Sequence, residues 1–563
     1  MEPIKLSYLS GKSSQPLIGM TIGELFDKAC DNYADQDALI SVFQNKRLTY
    51  RELQVKVEAF ACSLIALGFQ KGERLGIWSP NCWEWTVAQF AAFKIGVILV
   101  NLNPAYKAQE LHYVLNKVGC RGLVIASKFK STDYQQVLTQ ISPEILQTSD
   151  KKLKLQQLPQ LEVVIKIDHS VPEMFYRFQD LLEQPLEQQR MQVAKIAGTL
   201  QFDDTINIQF TSGTTGNPKG TMLTHHNILN NGFFVGEGIG LTAQDKICIS
   251  VPLFHCFGMV MGNLACISHG ATMVYPAAVF NARESLNTIH QERCTAAYGV
   301  PTMFIAMLEQ EDFEQYDLSS LRTGIMAGSP CPKEIMQRVM ERMHMSEITI
   351  CYGMTETSPV SVQSYIDDPI DKRVSTVGHV HPHVEIKIVD PEGNIVPLGV
   401  SGELCVRGYS VMAGYWAEPE KTHEVIDLNN WMHTGDIAQM DQEGYIKIKG
   451  RMKDMVIRGG ENLFPKEIED FLYTHPEISE VQVIGLPDER YGEELCACII
   501  LHEGRSCSEE AIRIFCKDKI SHNKIPRYVK FLTEFPMTAS GKAQKFKLQE
   551  MMCMEFNLNA DVF

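Results

Sequence analysis

Ten residues, Thr211 to Gly220 (TSGTTGNPKG), hold the densest polar chemistry of the chain. Gly213, Gly216 and Gly220 separate the hydroxyls of Thr211, Ser212, Thr214 and Thr215, and Asn217, Pro218 and Lys219 close the run. Glycine lets backbone N–H groups approach a ligand closely. Hydroxyls and N–H groups suit phosphate oxygens, and Lys219 adds a positive charge. The chemistry is that of a phosphate cradle; a flexible polar loop is the plainer alternative. The order is not that of a Walker A loop, in which the lysine follows the second glycine and precedes Ser or Thr. Here Lys219 precedes Gly220.

Other candidates lie far along the chain. Tyr352-Gly-Met-Thr-Glu-Thr-Ser-Pro359 offers an aromatic ring, hydroxyls and one carboxylate after the apolar run Ile348–Cys351. Glu356 is a candidate magnesium ligand, because Mg²⁺ takes one or two carboxylates together with phosphate oxygens; a solvated loop glutamate is the alternative. Ala327-Gly-Ser-Pro330 follows Thr323–Met326, and its small side chains would let a flat base lie against the backbone, although an ordinary turn reads the same way. In His433-Thr-Gly-Asp436 a carboxylate could accept two ribose hydroxyls, and Arg451 could pair with ribose or phosphate. Lys542 projects from a Gly-Ser loop near the chain end; taken alone it would be a surface charge.

Elements must bring these together. Ile206–Phe210 alternates and predicts a strand leading into the glycine loop. From 46 to 125 strand and helix patterns alternate, with strands at Glu73–Trp78, Val97–Val100 and Gly122–Ala126 and helices at Trp83–Ile95 and Leu111–Val118. A second such series runs from Ile247 to Gly299. Alternation of this kind predicts parallel strands with crossover helices. Thr21-Ile-Gly-Glu24 is a capping box that starts a helix. Residues 128–160 are Gln- and Lys-rich and read as a surface excursion. After about residue 375, short alternating strands at Val384–Val389, Gly402–Arg407 and Gly444–Lys449 predict an antiparallel sheet or small barrel. Beyond Gly450 a mixed α+β pattern begins, with a helix at Pro465–Tyr473 that carries Pro in its first turn.

The whole chain has 563 residues, enough for more than one domain, and a net charge of -16 that argues against a general nucleic-acid binder. Its 16 cysteines are scattered without a CxxC pair and read as buried or surface thiols in a reducing cytoplasm. Neither a signal peptide nor a span long enough for a bilayer is expected. His379, His381 and His383 alternate, but Pro382 interrupts them and a metal site there is not favoured.

TSGTTGNPKG, AGSP, YGMTETSP, RGYSVMAGYW at 407–416, HTGD, GRMKDMVIRGGENLFPKEIE at 450–469 and PMTASGK at 536–542 occur together in this order. Over residues 20–550 the chain resembles the acyl-CoA synthetases of the adenylate-forming superfamily. Their medium-chain fatty-acid branch is the nearest pattern, and 4-coumarate ligases are somewhat further off. The resemblance implies an α/β fold: a large N-terminal domain of parallel-type sheets with a small β-barrel-like part (1–450), a hinge at 451–453 and a small mobile α+β domain (454–563). It implies that 211–220 holds the ATP phosphates, that Gly328, Ser329 and Tyr352 flank adenine, and that Thr355 contacts the α-phosphate region. Glu356 would hold Mg²⁺, Asp436 the ribose, and Arg451 would help place the nucleotide. Lys453 sits at the hinge, Lys542 enters during adenylation, Gly459 and Gly460 line the CoA path, and His255, Phe257 and Met259 lie beside the acyl group. A long-chain relative carries a gating tryptophan where this chain has Met259, a departure from the family's gate.

The expected activity is ATP-dependent fatty acid–CoA ligation with Mg²⁺ and coenzyme A. The alternatives are an aryl-acid CoA ligase, or an adenylation enzyme that loads another acceptor. A luciferase-like oxygenase and a non-catalytic nucleotide binder are disfavoured, the latter by Lys542, Glu356 and Asp436. The expected partners are small molecules, with no nucleic acid, as a monomer or homodimer; peripheral membrane contact stays open.

Overall fold

The computed structural model describes residues 5–168, 171–183, 185–211, 218–329, 331–488, 490–517, 519–538 and 541–558. Two large sheets form the scaffold. The first has eight strands in the order Tyr176–Arg177, Val163–Lys166, Gly122–Ile125, Arg74–Trp78, Ile98–Asn101, Thr205–Thr211, Lys219–Thr224 and Gly414–Tyr415. The first six are mutually parallel, and the last two join antiparallel. The second has nine strands; Asp37–Ser41, Thr272–Tyr275, Lys246–Ile249, Ala296–Gly299, Thr323–Ala327 and Glu347–Gly353 make its parallel centre. The alternating strand and helix patterns required this: parallel neighbours need crossover helices, and strands covered on both faces read as apolar runs.

The local signals act as physics predicts. Thr21 accepts the Glu24 N–H and the Glu24 carboxylate accepts the Thr21 N–H, so two orphan donors of the Ile22–Asn32 helix are satisfied. The Trp83–Lys94 helix is buried almost all round, between the two sheets, which explains why its sequence shows no polar face.

Residues 128–160 are not a surface excursion. Tyr134, Val137, Leu138 and Ile141 form the inner face of the Tyr134–Ile141 helix, and Ile145, Leu153, Leu155 and Leu158 continue that core. Tyr134 stacks on Trp78 with ring centroids 3.7 Å apart. The Gln and Lys residues that dominated the composition cover the outer side.

The strand-rich part is a five-stranded antiparallel sheet ordered Tyr8–Ser10, Val384–Val389, Gly402–Gly408, Met432–Met440 and Ile446–Arg451. The segment after Arg451 builds two apolar clusters of its own, centred on Ile468, Val483, Leu495 and Ile512 and on Leu486, Cys496, Leu548 and Met552. It rests against the larger part through contacts such as His502 Nδ1 to Glu309 Oε1 at 3.1 Å.

Candidate active site

Thr205–Thr211 and Lys219–Thr224 pair antiparallel, with Thr211 opposite Lys219. The strands on either side of the glycine-rich run are therefore antiparallel neighbours. Ser212, Gly213, Thr214, Thr215, Gly216 and Asn217 lie outside the described residues; Thr211 and Pro218 flank them. Gly414–Tyr415 adds to the hairpin edge, with Tyr415 opposite Thr221, and the Trp416 N–H donates to the Gly220 carbonyl at 2.8 Å. This places the Tyr415 ring 4.3 Å from the Lys219 ammonium.

Glu356 stands in a short helical turn, Thr355–Thr357, just past the Glu347–Gly353 strand. It is buried, and its Oε1 accepts from Tyr415 OH at 2.9 Å and from Thr211 Oγ1 at 3.3 Å. Its backbone carbonyl accepts the Met412 N–H at 2.9 Å. Two distant segments, at Thr211 and at Met412–Tyr415, thus converge on Glu356. Among the described residues both side-chain bonds fall on Oε1, and a single buried carboxylate of this kind fits a hard cation shared with phosphate oxygens. Thr355 Oγ1 lies 3.7 Å from Cys256 Sγ.

Asp436 is buried on the Met432–Met440 strand. Tyr352 OH donates to its Oδ2 at 2.6 Å, and Arg451, directly opposite in the register, sets Nε 3.4 Å from Oδ1. Burial pushes the Asp436 carboxyl above its ordinary value, while Arg451, the Tyr352 hydroxyl and Lys542 pull it back. Glu403 braces this loop by accepting the Gly435 N–H at 3.0 Å and pairing with His433 Nδ1 at 2.8 Å.

Gly328 ends the Thr323–Ala327 strand at φ 90°; a Cβ there would lie 3.7 Å from Lys542 Cε. Ser329 follows it. Lys542 is held by a tight turn in which its N–H donates to Thr538 Oγ1 at 3.0 Å and the Thr538 N–H returns to its carbonyl at 2.7 Å. Desolvation, and then Arg451, lower the Lys542 pKa, opposed by Cys256, Asp436 and Glu356. A lysine more than 300 positions from the hairpin thereby faces the same small volume as Glu356 and Asp436.

His255 lies in a turn rather than a core strand. Its Nδ1 accepts the Phe257 N–H at 3.2 Å, and the π-helix Phe257–Leu264 begins there. Burial, helped by Lys542, lowers the His255 pKa to about 3, so the imidazole is neutral at physiological pH. Met259 is fully buried, and its sulfur accepts from Asn101 Nδ2 at 3.5 Å. Gly459 and Gly460, at φ 59° and 85°, form an exposed hairpin tip between Val456–Arg458 and Glu461–Leu463, against Tyr491. Both positive values are those a two-residue hairpin turn demands. Lys453 sits in the Met452–Asp454 turn directly after the last strand of the antiparallel sheet.

The three alternating histidines do not share a face. His381 is fully buried between Gln363 and Tyr409, His379 packs tilted against Tyr445 with ring centroids 3.9 Å apart, and His383 reaches the Gln15 carbonyl at 2.7 Å. Sequence reasoning missed Tyr415, Cys256 and Glu403. Tyr415 stood inside the quoted 407–416 run, yet nothing in that run showed which side chain would turn toward Glu356.

The comparisons agree with this geometry. A model of the AMP-binding enzyme family matches residues 26–416, and one of the AMP-binding enzyme C-terminal domain matches 467–542. A mitochondrial medium-chain acyl-CoA ligase ACSF2 of Danio rerio is 47% identical over 97% of this chain and 90% of its own length. The putative acyl-CoA synthetase YngI of Bacillus subtilis is 46% identical over 97% of this chain and 99% of its own. Among solved structures, the anthranilate CoA ligase AuaEII with anthranoyl-AMP superposes with a TM-score of 0.84 at 28% identity, covering 97% of this chain and 99% of that one. ATP-bound MatB from Rhodopseudomonas palustris does so at 0.79 and 25%, covering 94% and 99%. The chain belongs to the AMP-binding enzyme family.

Proposed function

We propose that the protein is an ATP-dependent medium-chain fatty acid–CoA ligase. The observation that carries the reading is that Lys542 lies within electrostatic reach of Glu356 and Asp436, while Thr211 bonds to the Glu356 carboxylate. A carboxylate is a poor acyl donor. Attack of its oxygen on the α-phosphorus of ATP expels pyrophosphate and leaves an acyl adenylate, whose AMP is a good leaving group. The CoA sulfur then attacks the acyl carbonyl, AMP departs, and the thiol proton passes to solvent.

In the first step two anions approach each other, so catalysis is positioning and charge compensation. Thr211 to Lys219 hold the phosphates, with Lys219 and Lys542 supplying positive charge and Thr355 bordering the α-phosphate. Gly328, Ser329 and Tyr352 enclose the base; Asp436 accepts the ribose hydroxyls and Arg451 orients them. Enzymes of this family use ATP with Mg²⁺; the ion, held by Glu356, would neutralise phosphate charge. His255 and Phe257 border the acid, and Met259 supports them from beneath.

We place the domain limits at 1–450 and 454–563, with 451–453, including Lys453, as hinge. Turning about it would withdraw Lys542 and bring Gly459 and Gly460 to the CoA path. We place the enzyme in the cytoplasm, as a monomer or homodimer that works on small molecules. No helix among the described residues is long and apolar enough to cross a membrane. The names of the vertebrate relatives, medium-chain acyl-CoA ligases, support the chain length; the anthranilate ligase keeps an aryl acid as the second reading. The test is a panel of straight-chain acids from butyrate to stearate, with 4-coumarate and benzoate, scored for AMP and thioester. A maximum at hexanoate to dodecanoate supports the proposal, and a maximum on an aryl acid replaces it with the second reading.

A further inference from the structure

Among the described residues, one group of three metal-capable side chains brings its ligand atoms within 4.8 Å of one another: Glu403, Cys405 and His433. The backbone builds it. Glu403 and Cys405 alternate on the Gly402–Gly408 strand, so they point to one face. His433, on the antiparallel Met432–Met440 strand, stands directly opposite Cys405. The Cys405 sulfur lies 3.5 Å from His433 Nδ1, and Glu403 Oε2 lies 2.8 Å from the same nitrogen.

One ring nitrogen thus faces a thiol and a carboxylate at once. It shares a single proton with them, so a proton satisfies only one of the two contacts. A dication bonds all three atoms. Tetrahedral zinc, with bonds of about 2.0–2.3 Å to N, O and S, sets its ligand atoms about 3.3–3.6 Å apart. The sulfur–nitrogen distance already has that value. The carboxylate–nitrogen contact would open by about 0.5 Å as the ion takes the place of the shared proton. The His433 side chain is 36% exposed and that of Glu403 18%, so an ion reaches the group from solvent and keeps water as its fourth ligand. Val389 and Trp431 pack against Cys405. Burial and then Glu403 raise the Cys405 thiol to about 12, so binding releases a thiol proton to solvent.

The same carboxylate touches the nucleotide site. The register advances two residues from Cys405 to Glu403 but four from His433 to Ile437, so the second strand bulges at residues 434–436. Glu403 Oε1 holds that bulge through the Gly435 N–H at 3.0 Å, and Asp436 follows.

We propose that Glu403, Cys405 and His433 form a zinc-class metal site, and that an ion held there shifts Glu403 and weakens ATP binding through the Gly435–Asp436 bulge. The effect on ATP rests on the ligase reading above; the site itself does not. A thiolate and an imidazole set it apart from Glu356, whose oxygens suit Mg²⁺.

The test titrates Co²⁺ into the full-length protein, wild type and Cys405→Ala, with Mg²⁺ in large excess and a non-thiol reductant. Thiolate charge-transfer absorption and the visible bands of tetrahedral Co²⁺ are followed. Wild type is expected to bind one equivalent with both signals, and Zn²⁺ should displace it. Loss of a mere supporting partner costs a metal site about 10- to 100-fold, so Cys405→Ala should weaken binding by about 100-fold or more. At fixed free Zn²⁺, KM for ATP with octanoate and CoA should rise about tenfold in wild type and hold in Cys405→Ala, whose zinc-free KM matches wild type. Absence of the bands overturns the site, as does their survival in Cys405→Ala, which would give them to another of the 16 cysteines. Bands that vanish in the variant while KM for ATP ignores zinc in wild type overturn the coupling to the bulge. Should Cys405→Ala not fold, Cys405→Ser, which has no thiolate band, replaces it. Protein that releases no AMP with any acid removes the ligase reading, while the Co²⁺ titration still decides the site.

Discussion

The Tyr415 hydroxyl donates to Glu356 Oε1 at 2.9 Å. It comes from the edge strand that also seats its ring against Lys219, so one side chain fixes the angle of the carboxylate and the height of the lysine. Tyr415→Phe keeps the ring and removes the donor. A hydrogen bond to a charged acceptor is worth about 1.5–3 kcal/mol, so a loss of about 10- to 100-fold in pyrophosphate release is expected. The Mg²⁺ concentration for half-maximal rate should rise with it. An unchanged Mg²⁺ dependence would mean that Glu356 is not the metal ligand.

Lys542→Ala should reduce adenylation by about 10²–10³-fold, the scale of one lost charge-stabilising donor. Transfer to CoA from supplied acyl-AMP should largely survive, because Lys542 is expected to have left the site by then. Equal loss in both half-reactions would contradict the hinge motion about 451–453.

The lowered Lys542 pKa sets a pH effect. The protonated form is the active one, so the rate falls as pH rises through that pKa, and the fall begins below the range of an ordinary lysine. The alkaline limb of kcat/KM for ATP reports the free enzyme. In Lys542→Arg that limb should disappear, since guanidinium stays charged. A limb that persists in the arginine variant belongs to another group.

Stability carries a second signature. Burial lowers His225 and His381 to about 3, and both are fully shielded from solvent. The unfolded chain binds these protons near the ordinary value of about 6.5. Between those limits the unfolded state holds more protons, so stability falls as pH falls, by up to about 1.4 kcal/mol per pH unit for each histidine. Melting temperatures between neutral and mildly acidic pH should drop steeply, and His381→Asn should flatten the slope even where it lowers the neutral value. Parallel slopes in the two proteins would show that His381 is protonated in the fold.

Much of this was legible in the sequence, and for identifiable reasons. Continuous apolar runs of Val, Ile and Leu separated by helical stretches admit few arrangements other than parallel sheets. Thr21 and Glu24 carried their cap in the spacing alone. The site was legible where a loop concentrates chemistry, as at Lys219, Glu356 and Asp436. It was not legible where a tertiary contact gives an unremarkable residue its role. Tyr415 and Glu403 became visible only once the hairpin edge and the antiparallel sheet were formed. Residues 128–160 were misread because composition outweighed the Tyr134, Val137, Leu138 and Ile141 spacing. His255 was ambiguous because it sits in a turn just ahead of the π-helix Phe257–Leu264, so the surrounding apolar run has no periodicity that sequence inspection tests.

Gly459 and Gly460 provide the converse of the Lys542 experiment. Gly460 has φ 85° with no atom within 4 Å of an added Cβ, so Gly460→Val meets backbone strain and no clash. A β-branched residue in that region costs on the order of 1–3 kcal/mol, enough to redraw the hairpin tip while its flanking strands persist. Adenylation, measured as pyrophosphate exchange, should stay near wild type, because Lys542 and not this tip faces Glu356 and Asp436. Thioester formation from supplied acyl-AMP should fall, with KM for CoA rising by about tenfold or more. The opposite pattern, slow adenylation with normal transfer, would take the tip off the CoA path and leave the assignment of Lys542 intact.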